Sequence, residues 1–339
     1  MTAPLRVGIL STANIARAAV VPALRACDDT EVVAVASRDA ERARSFASEL
    51  EIPRAHGSYE ALLDDGGVDA VYVALPNALH EAWTIRALEA GKHVLCEKPL
   101  APTVEACRRM GEAAGRAERV LMEAFMYRFH PRTRRTEALV QDGRIGRLAH
   151  VDATFTFRVR DPSNIRLSRE LAGGALLDVG CYTVDVARRL VGRPIETVSA
   201  TSRFDGADGV DLETAAWIRF EGGAAATVRS ALTLPRRERV VASGDEGSLG
   251  LERAFLPGDG PVAIEVEGAG GATEAVEIAG KDPYLAMVET FAARALGDAA
   301  DDMPASDAAE AASTVAILEA LAASARAGGA PLRPDAGRA

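Results

Sequence analysis

The residues best suited to chemistry in this chain are an acid and a lysine that follow a short apolar run. The strand-like sequence 93–96 leads directly into Glu97, Lys98 and Pro99. The apolar residues predict a buried strand, and Pro99 disfavours helix at Lys98. An ammonium group at the carboxyl end of such a strand lies where open α/β sheets bind their ligands. Lys98, with Glu97 beside it, is therefore a candidate for binding or catalysis, and a solvated turn is the alternative.

A second candidate segment lies in the other half of the chain, where two glycines precede Asp178 and Tyr182. These residues are four apart, so on a helix they share one face. A tyrosine in a core needs only one hydrogen-bond partner, and that role alone would explain Tyr182. The stronger interpretation pairs it with Lys98, because a nearby ammonium stabilises phenolate and lowers the pKa of a phenol. The pair predicts a proton-transfer site.

Alternating strands and helices predict how the first part of the chain positions Lys98. Strand-helix-strand units at this spacing require parallel pairing with right-handed crossovers. We therefore expect an α/β, doubly wound Rossmann dinucleotide-binding domain over residues 1–126. The strands are predicted at Arg6–Leu10, Val32–Ala36, Ala70–Leu75, His93–Cys96 and Val120–Met122.

The turn after the first predicted strand resembles a dinucleotide-binding turn without its usual glycines. Ser11, Ala13 and Ala16 occupy the three positions of G-x-G-x-x-G/A. Small residues there let a pyrophosphate approach the backbone and the N-terminus of the following helix. A plain strand-to-helix turn is the alternative. The residues of this turn that we predict to contact the cofactor are Ser11, Thr12, Ala13, Asn14 and Ile15.

The end of the second predicted strand indicates which dinucleotide binds. A fold that selects NAD has a carboxylate at this strand end, where it would repel a 2′-phosphate. Ser37 stands there instead, and Arg38 follows it. A hydroxyl beside a guanidinium suits a phosphate. The pattern favours NADP(H) over NAD(H); in the alternative, Arg38 is a solvated residue at a helix start.

The third predicted strand ends in Leu75, Pro76 and Asn77, which we expect at the same sheet edge and which we predict, with Glu97 and Lys98, to contact the cofactor. Pro76 ends the strand, and Asn77 is a good helix N-cap. His80 follows in the first helical turn. On pattern alone His80 is a structural residue, and the alternative is that it lines the nicotinamide side of a cleft.

Composition excludes several classes of function. A chain of 339 residues with net charge −10 predicts two domains and no nucleic-acid groove. No apolar signal core precedes the first strand and no run of eighteen apolar residues occurs, so we expect no membrane partner and a cytoplasmic location. The four cysteines form no CxxC pair, and the five histidines form no cluster, so no metal site is predicted.

The apolar pattern changes after Leu148 to strict alternation, which is typical of strands with one face in water. Gly-rich turns separate most of these runs. We predict a second, α+β domain over residues 127–328, built on a large, mostly antiparallel open sheet. Residues 329–339 are predicted to be a mobile tail.

Four segments together resemble the glucose-fructose oxidoreductase and inositol dehydrogenase family, Gfo/Idh/MocA. The resemblance covers nearly the whole chain and depends on their order and spacing more than on any one of them. The segments are Gly8–Ala16, Glu97–Pro99, Glu123–Pro131 and the Gly-rich stretch that ends at Tyr182.

The resemblance implies roles for individual residues. In this family the lysine of Glu-Lys-Pro lies in the active site, and here it is Lys98. Tyr182 stands where the inositol dehydrogenase branch has histidine, which resembles the aldose, dihydrodiol and keto-sugar branch. The loop around Arg166 is similar to one near cofactor and substrate in that branch. The open second sheet often forms the oligomer interface, which implies a homodimer or homotetramer.

Together these expectations give a functional hypothesis. An NADP(H)-dependent oxidoreductase of the type acting on CH–OH donors interconverts a CH–OH group and a carbonyl on a sugar-like substrate. Tyr182 or Lys98 transfers the proton, and Asp178 orients the substrate or the lysine. The same machinery would suit a nucleotide-sugar 3-ketoreductase or a dihydrodiol dehydrogenase. An alternative of another class is a catalytically silent NADP-binding regulator.

Overall fold

The computed structural model describes residues 3–207, 209–298 and 303–334. The chain divides into two compact units, each with its own sheet. The first unit comprises the chain through Ala101, then Glu105–Phe129 and Asp282–Ala311; the second comprises Pro102–Val104, His130–Lys281 and the chain from Ala312.

The first unit contains a six-stranded parallel sheet in the order β3-β2-β1-β4-β5-β6. This order reverses direction at β1, so the carboxyl ends of β1 and β4 flank the switch point where such sheets bind ligands. The strands are β1 (Leu5–Leu10), β2 (Thr30–Ala36), β3 (Arg54–His56), β4 (Ala70–Val73), β5 (His93–Glu97) and β6 (Leu121–Ala124).

Helices cover the sheet and begin at the capping residues that the sequence supplies. Asp39 accepts hydrogen bonds from the backbone at the start of α2, Ser58 does so for α3, and Asp282 for α8. The helices of this unit are α1 (Val21–Ala26), α2 (Ala40–Glu49), α3 (Tyr59–Leu63), α4 (His80–Glu89), α5 (Val104–Ala117) and α8 (Pro283–Leu296), with α5 starting at the unit boundary.

The predicted Rossmann sheet is confirmed, with one strand added. All five predicted strands are present within one to two residues. The sequence missed β3, which has three residues and no fully buried side chain, so it lacks an apolar pattern. The helix predicted after Pro76 begins as a 3₁₀ turn, Asn77–Leu79, before α4.

The second unit is built on an eight-stranded sheet in the order β14-β13-β12-β11-β7-β10-β9-β8. Every neighbouring pair is antiparallel except β7 and β10, which are parallel. The strands are β7 (Leu148–Arg158), β8 (Ile195–Phe204), β9 (Asp211–Phe220), β10 (Ala225–Ala231), β11 (Thr233–Gly244), β12 (Gly247–Glu252), β13 (Val262–Gly268) and β14 (Thr273–Ile278).

One face of this sheet is buried and the other faces water, as the alternating sequence predicts. In β9 the side chains of Ala216, Ile218 and Phe220 are buried, whereas Trp217 and Arg219 point away from the core. Helix α7 (Cys181–Val191) packs on the sheet at β7 and β10. Helices α6 (Pro131–Gln141) and α9 (Ala308–Arg326) complete the α-helices of the described residues, although α9 begins in the first unit.

The unit boundaries differ from the predicted domain boundaries at both ends. Helix α8 belongs to the first unit because it packs on α1 and β1, a long-range contact that chain order does not reveal. The tail predicted to be mobile from residue 329 is held as far as Leu332, which pairs with Val198 of β8. Residues 335–339 of that tail lie outside the described residues.

Helix α9 is long and apolar enough to cross a membrane by length and composition alone. Half of its apolar window is buried inside the protein, and Ala311, Val315 and Leu321 are almost fully covered. Burial to this extent is typical of a helix in the core of a protein.

Candidate functional site

The turn after β1 has an unusual backbone conformation at its first residue. Ser11 has a φ of 138°, in the region that favours glycine, and its N–H donates to the carbonyl of Ala36 in β2. Helical structure begins within the next few residues. Ser11, Thr12, Ala13 and Ile15 are partly exposed, and Asn14 is exposed. Ser11 therefore adopts a backbone conformation that favours glycine, and the role of the turn in cofactor binding stays a prediction.

The end of β2 presents a hydroxyl and a guanidinium without a competing carboxylate. Ser37 is largely buried, and its Oγ accepts a hydrogen bond from the N–H of Asp39. The carboxylate of Asp39 accepts hydrogen bonds from the N–H groups of Glu41 and Arg42 at the start of α2, and Arg38 beside Ser37 is exposed. Burial raises the pKa of Tyr59, and the nearby charges of Arg38 and Arg42 oppose this rise. The sequence analysis missed Arg42, which lies four residues after Arg38.

The segment after β4 holds a buried histidine. Leu75 is nearly buried, while Pro76 and Asn77 are partly exposed. His80 has no exposed surface: its Nε2 lies 2.8 Å from the carbonyl oxygen of Leu75 and its Nδ1 lies 3.0 Å from that of Pro99. Burial lowers the pKa of the imidazole. Both ring nitrogens face backbone carbonyl oxygens, which supports the structural interpretation of His80, and a role toward the cofactor stays a prediction.

The residues around Lys98 are fixed on both sides. Tyr72, fully buried in β4, donates a hydrogen bond to Oε1 of Glu97 at 2.6 Å. Burial raises the pKa of Tyr72, and the charge of Glu97 raises it further, so the phenol stays neutral. The bond from Lys98 to Pro99 is cis. Glu97 and Lys98 are partly exposed, and they lie at the carboxyl end of β5 as expected.

The second unit brings Arg166 and Asp178 into direct contact. The Nε of Arg166 lies 2.7 Å from Oδ2 of Asp178. Arg166 lies on a 3₁₀ turn, Ile165–Leu167, whose start is capped by Asn164. Its guanidinium also lies over the ring of Phe157, 5.7 Å from the centroid. Arg166, twelve residues earlier in the chain, thus holds the carboxylate of Asp178.

Tyr182 lies in the first turn of α7, directly after a π-helical turn, Leu176–Gly180, that carries Asp178. Its ring packs against those of Phe155 and Phe255, with centroids 5.3 Å apart in both cases. Only 6% of the residue is exposed. Aromatic contacts fix the ring plane, so the direction of the hydroxyl is set by packing.

Asp211 fixes the start of the helical segment that carries Asp178. The sequence pattern did not predict this role of Asp211. Its Oδ2 accepts hydrogen bonds from the N–H of Leu176 at 2.7 Å and from the hydroxyl of Thr214 at 3.0 Å. Gly174 has a φ of +113°, and a Cβ there would meet Oδ1 of Asp211 at 2.2 Å. Glycine is required at this position for both reasons. Burial raises the pKa of Asp211 to about 6.

The predicted residues therefore fall into two groups. The first unit gathers those of the cofactor set at the carboxyl ends of β1, β2, β4 and β5, together with Lys98. The second unit gathers Arg166, Asp178 and Tyr182. Within residues 3–207, 209–298 and 303–334, no group of three or more His, Cys, Asp or Glu side chains could hold a metal ion.

Comparison with known proteins covers both units. Residues 5–125 match the family model of the GFO/IDH/MocA oxidoreductases, NAD-binding Rossmann fold, and residues 133–250 match the GFO/IDH/MocA C-terminal domain. The chain is 40% identical to D-xylose 1-dehydrogenase (NADP(+)) 2 of Haloferax volcanii, over 84% of this chain and 87% of that protein. It is 36% identical to a dTDP-3,4-didehydro-2,6-dideoxy-alpha-D-glucose 3-reductase of Saccharopolyspora spinosa, over 86% and 88%.

A solved structure shows the same fold along nearly the full length. The 3-ketoreductase KijD10 of Actinomadura kijaniata, in complex with NADP and TDP-benzene, superposes with a TM-score of 0.89. The two sequences are 31% identical, and the match covers 95% of this chain and 98% of that one.

Replacing Ser11 by glycine tests the strain in the first turn. A serine at this φ costs about 1–3 kcal/mol, and glycine removes this strain. Glycine also makes the unfolded chain more flexible, which offsets part of the gain, so Ser11→Gly should raise the free energy of unfolding by about 1 kcal/mol. Denaturant titration measures it. Thr12→Gly is the matched control, because Thr12 has no positive φ, and this change should lower stability. Equal losses in both variants would contradict the account.

The raised pKa of Asp211 predicts a pH dependence of stability. The folded protein binds the proton of Asp211 more tightly than the unfolded chain does. Protonation of Asp211 therefore adds to the free energy of unfolding at about pH 4, and this addition is lost as pH rises through about 6. Wild type should lose about 2–3 kcal/mol relative to Asp211→Asn between about pH 4 and pH 7. Urea titrations at several pH values measure this difference, and parallel curves for the two proteins would refute it.

Proposed function

The chain belongs to the GFO/IDH/MocA oxidoreductase family, and from this we propose that it is an NADP(H)-dependent oxidoreductase acting on CH–OH groups. It interconverts a CH–OH group and a carbonyl on a sugar or sugar-like substrate by hydride transfer. The observation that carries the proposal is that the residues predicted to bind the cofactor lie together at the carboxyl ends of four parallel strands. Relatives named as sugar dehydrogenases and keto-sugar reductases, similar along most of the chain, support the substrate class.

The first unit supplies the cofactor site in this proposal. The turn from Ser11 to Ile15 is assigned to the pyrophosphate, since its residues are accessible and Ser11 has a φ that favours glycine. Ser37 and Arg38 bind the 2′-phosphate, because a hydroxyl and an exposed guanidinium stand where a carboxylate would exclude it. A relative named for NADP(+) and a neighbour solved with NADP support this choice over NAD(H). When bound, the cofactor supplies the hydride chemistry.

Three side chains are assigned to proton transfer and orientation. In oxidation, Tyr182 accepts the proton of the substrate hydroxyl, and Lys98 holds the substrate oxygen and favours the phenolate. Lys98 is the alternative acid or base. Asp178 acts as an orienting group whose own position is set by Arg166. The aromatic packing of Tyr182 supports this role, because a fixed ring directs its hydroxyl.

Two further substrate classes use the same machinery. A nucleotide-linked 3-keto sugar is supported by the similarity to the dTDP-sugar 3-reductase and KijD10. A dihydrodiol is supported by 34% identity to a trans-1,2-dihydrobenzene-1,2-diol dehydrogenase of Xenopus tropicalis, over 71% of this chain and 72% of that protein. A silent NADP-binding regulator would have no use for Lys98, Asp178 and Tyr182 together.

The proposal also includes assembly and location. The water-facing side of the second sheet, where Trp217 is 48% exposed beside His150, supports a homodimer or homotetramer. Four buried cysteines without a disulfide among the described residues support the cytoplasm, where thiols stay reduced.

Replacing Lys98 by methionine tests the catalytic assignment. The change keeps an unbranched side chain and removes the ammonium, so turnover should fall by at least about 10²-fold while NADPH affinity stays nearly unchanged. Absorbance of the reduced nicotinamide with a panel of keto sugars measures turnover, and fluorescence titration measures binding. Lys281→Met is the matched control and should retain activity. Near-normal turnover of the Lys98 variant would refute the assignment.

Replacing Ser37 by aspartate tests the cofactor choice. A carboxylate at this strand end repels the 2′-phosphate and accepts the ribose hydroxyl, so NADPH affinity should fall about tenfold or more while NADH affinity is kept or improved. Titrations with both dinucleotides measure the ratio. Ser37→Ala, which removes the hydroxyl without adding charge, should give a smaller change. An unchanged ratio in the aspartate variant would remove the basis for NADP(H).

A further inference from the structure

Glu123 is a buried acid that no step of the proposed reaction uses. It lies in β6, where it pairs in register with Cys96 of β5, and it is 2% exposed. Its Oε1 accepts a hydrogen bond of 2.9 Å from the N–H of Leu100. Leu100 follows Lys98 by two residues, so the carboxylate holds the backbone directly behind the lysine.

A buried arginine holds this carboxylate in turn. Nη1 of Arg128 lies 3.2 Å from Oε2 of Glu123, and Arg128 has no exposed surface. The guanidinium stacks over Phe125, 4.5 Å from its centroid, and Nη1 donates to the hydroxyl of Ser306 at 3.3 Å. That hydroxyl donates to the backbone carbonyl of Glu123. A buried ion pair contributes little net stability because both charges lose their hydration, so stability alone does not account for the pair.

Buried polar groups also contact the other residues that flank Lys98. Tyr72 holds the side chain of Glu97, His80 faces the carbonyl of Pro99, and Glu123 holds the N–H of Leu100. Three buried polar groups from three different elements thus fix the residues on either side of Lys98. A displacement of about 1 Å at a reacting group can cost about 10²-fold in rate.

We propose that Glu123 is a positioning residue for Lys98. Its carboxylate, held by Arg128, fixes the N–H of Leu100 and thereby sets the place of the lysine ammonium. The consequence for catalysis rests on the proposed function, whereas the effect on Lys98 itself does not.

Three variants separate positioning from a merely structural role. Glu123→Gln keeps a side-chain oxygen for the N–H of Leu100 and removes the charge. The double variant E123M/R128M removes the oxygen together with both buried charges, a replacement that folded proteins tolerate well. Glu238→Met is the matched control in the second unit, because Glu238 is also buried and accepts a hydrogen bond from the N–H of Leu256 at 2.8 Å.

Steady-state kinetics with NADPH and a keto sugar give the first readout. The double variant should lose about 10-fold to 100-fold in kcat, with the KM for NADPH within about twofold of wild type. Glu123→Gln should keep most of kcat even where its stability falls, because the acceptor for Leu100 remains. Glu238→Met should keep wild-type kcat.

The lysine itself gives a readout that needs no activity. The chain has three lysines, Lys92, Lys98 and Lys281, so reductive methylation with isotope-labelled formaldehyde gives few NMR signals. The double variant should shift the Lys98 signal and its titration, and leave those of Lys92 and Lys281 in place. Glu123→Gln and Glu238→Met should leave all three in place.

The outcomes distinguish the two proposals. A double variant with a wild-type Lys98 signal and wild-type kcat overturns the positioning role, and so does an equal kcat loss in Glu123→Gln. If wild type turns over no sugar while the Lys98 signal shifts as expected, the positioning role stands and the proposed function fails.

Discussion

A parallel strand leaves its last side chains beyond the ladder of backbone hydrogen bonds, so a functional group at its carboxyl end must be held by other contacts. Lys98 shows how this protein meets that constraint. The loop that carries it is held by Tyr72, His80 and Glu123, each from a different element and each buried. Buried polar groups are costly when unpaired, so each contact admits few alternative geometries. The site depends on this rigidity.

In the second unit the proposed functional side chains lie at the start of a helix, and they too must be held by contacts other than regular backbone hydrogen bonds. Asp211 accepts the N–H of Leu176, and Gly174 leaves room for the carboxylate, so the backbone before Asp178 has one arrangement. Aromatic contacts then fix Tyr182 and an ion pair fixes Asp178. In both units, groups proposed for chemistry are partly or largely buried, and residues with no chemical role of their own set their positions.

Local patterns predicted much of the fold and the residues at the sheet edge. Apolar runs and turn residues predicted the parallel pairing of the first sheet, and strict alternation predicted the second sheet with one face in water. The supporting contacts could not be predicted from the sequence, since Glu123 contacts Leu100 and Asp211 contacts Leu176 only once the chain has folded. His80 was assigned two roles because sequence spacing does not show burial. The place of helix α8 in the first unit was not predicted, because its partners lie far earlier in the chain.

Hydride transfer between a nicotinamide and a carbon of a sugar-like substrate is the reaction on which every proposed residue role rests. Mass spectrometry of the products formed from NADPH deuterated at the transferable position and a panel of keto sugars measures this transfer. We expect a product with one deuterium on the carbinol carbon. If NADPH binds but deuterium enters no product of any sugar, the protein does not catalyse this reaction.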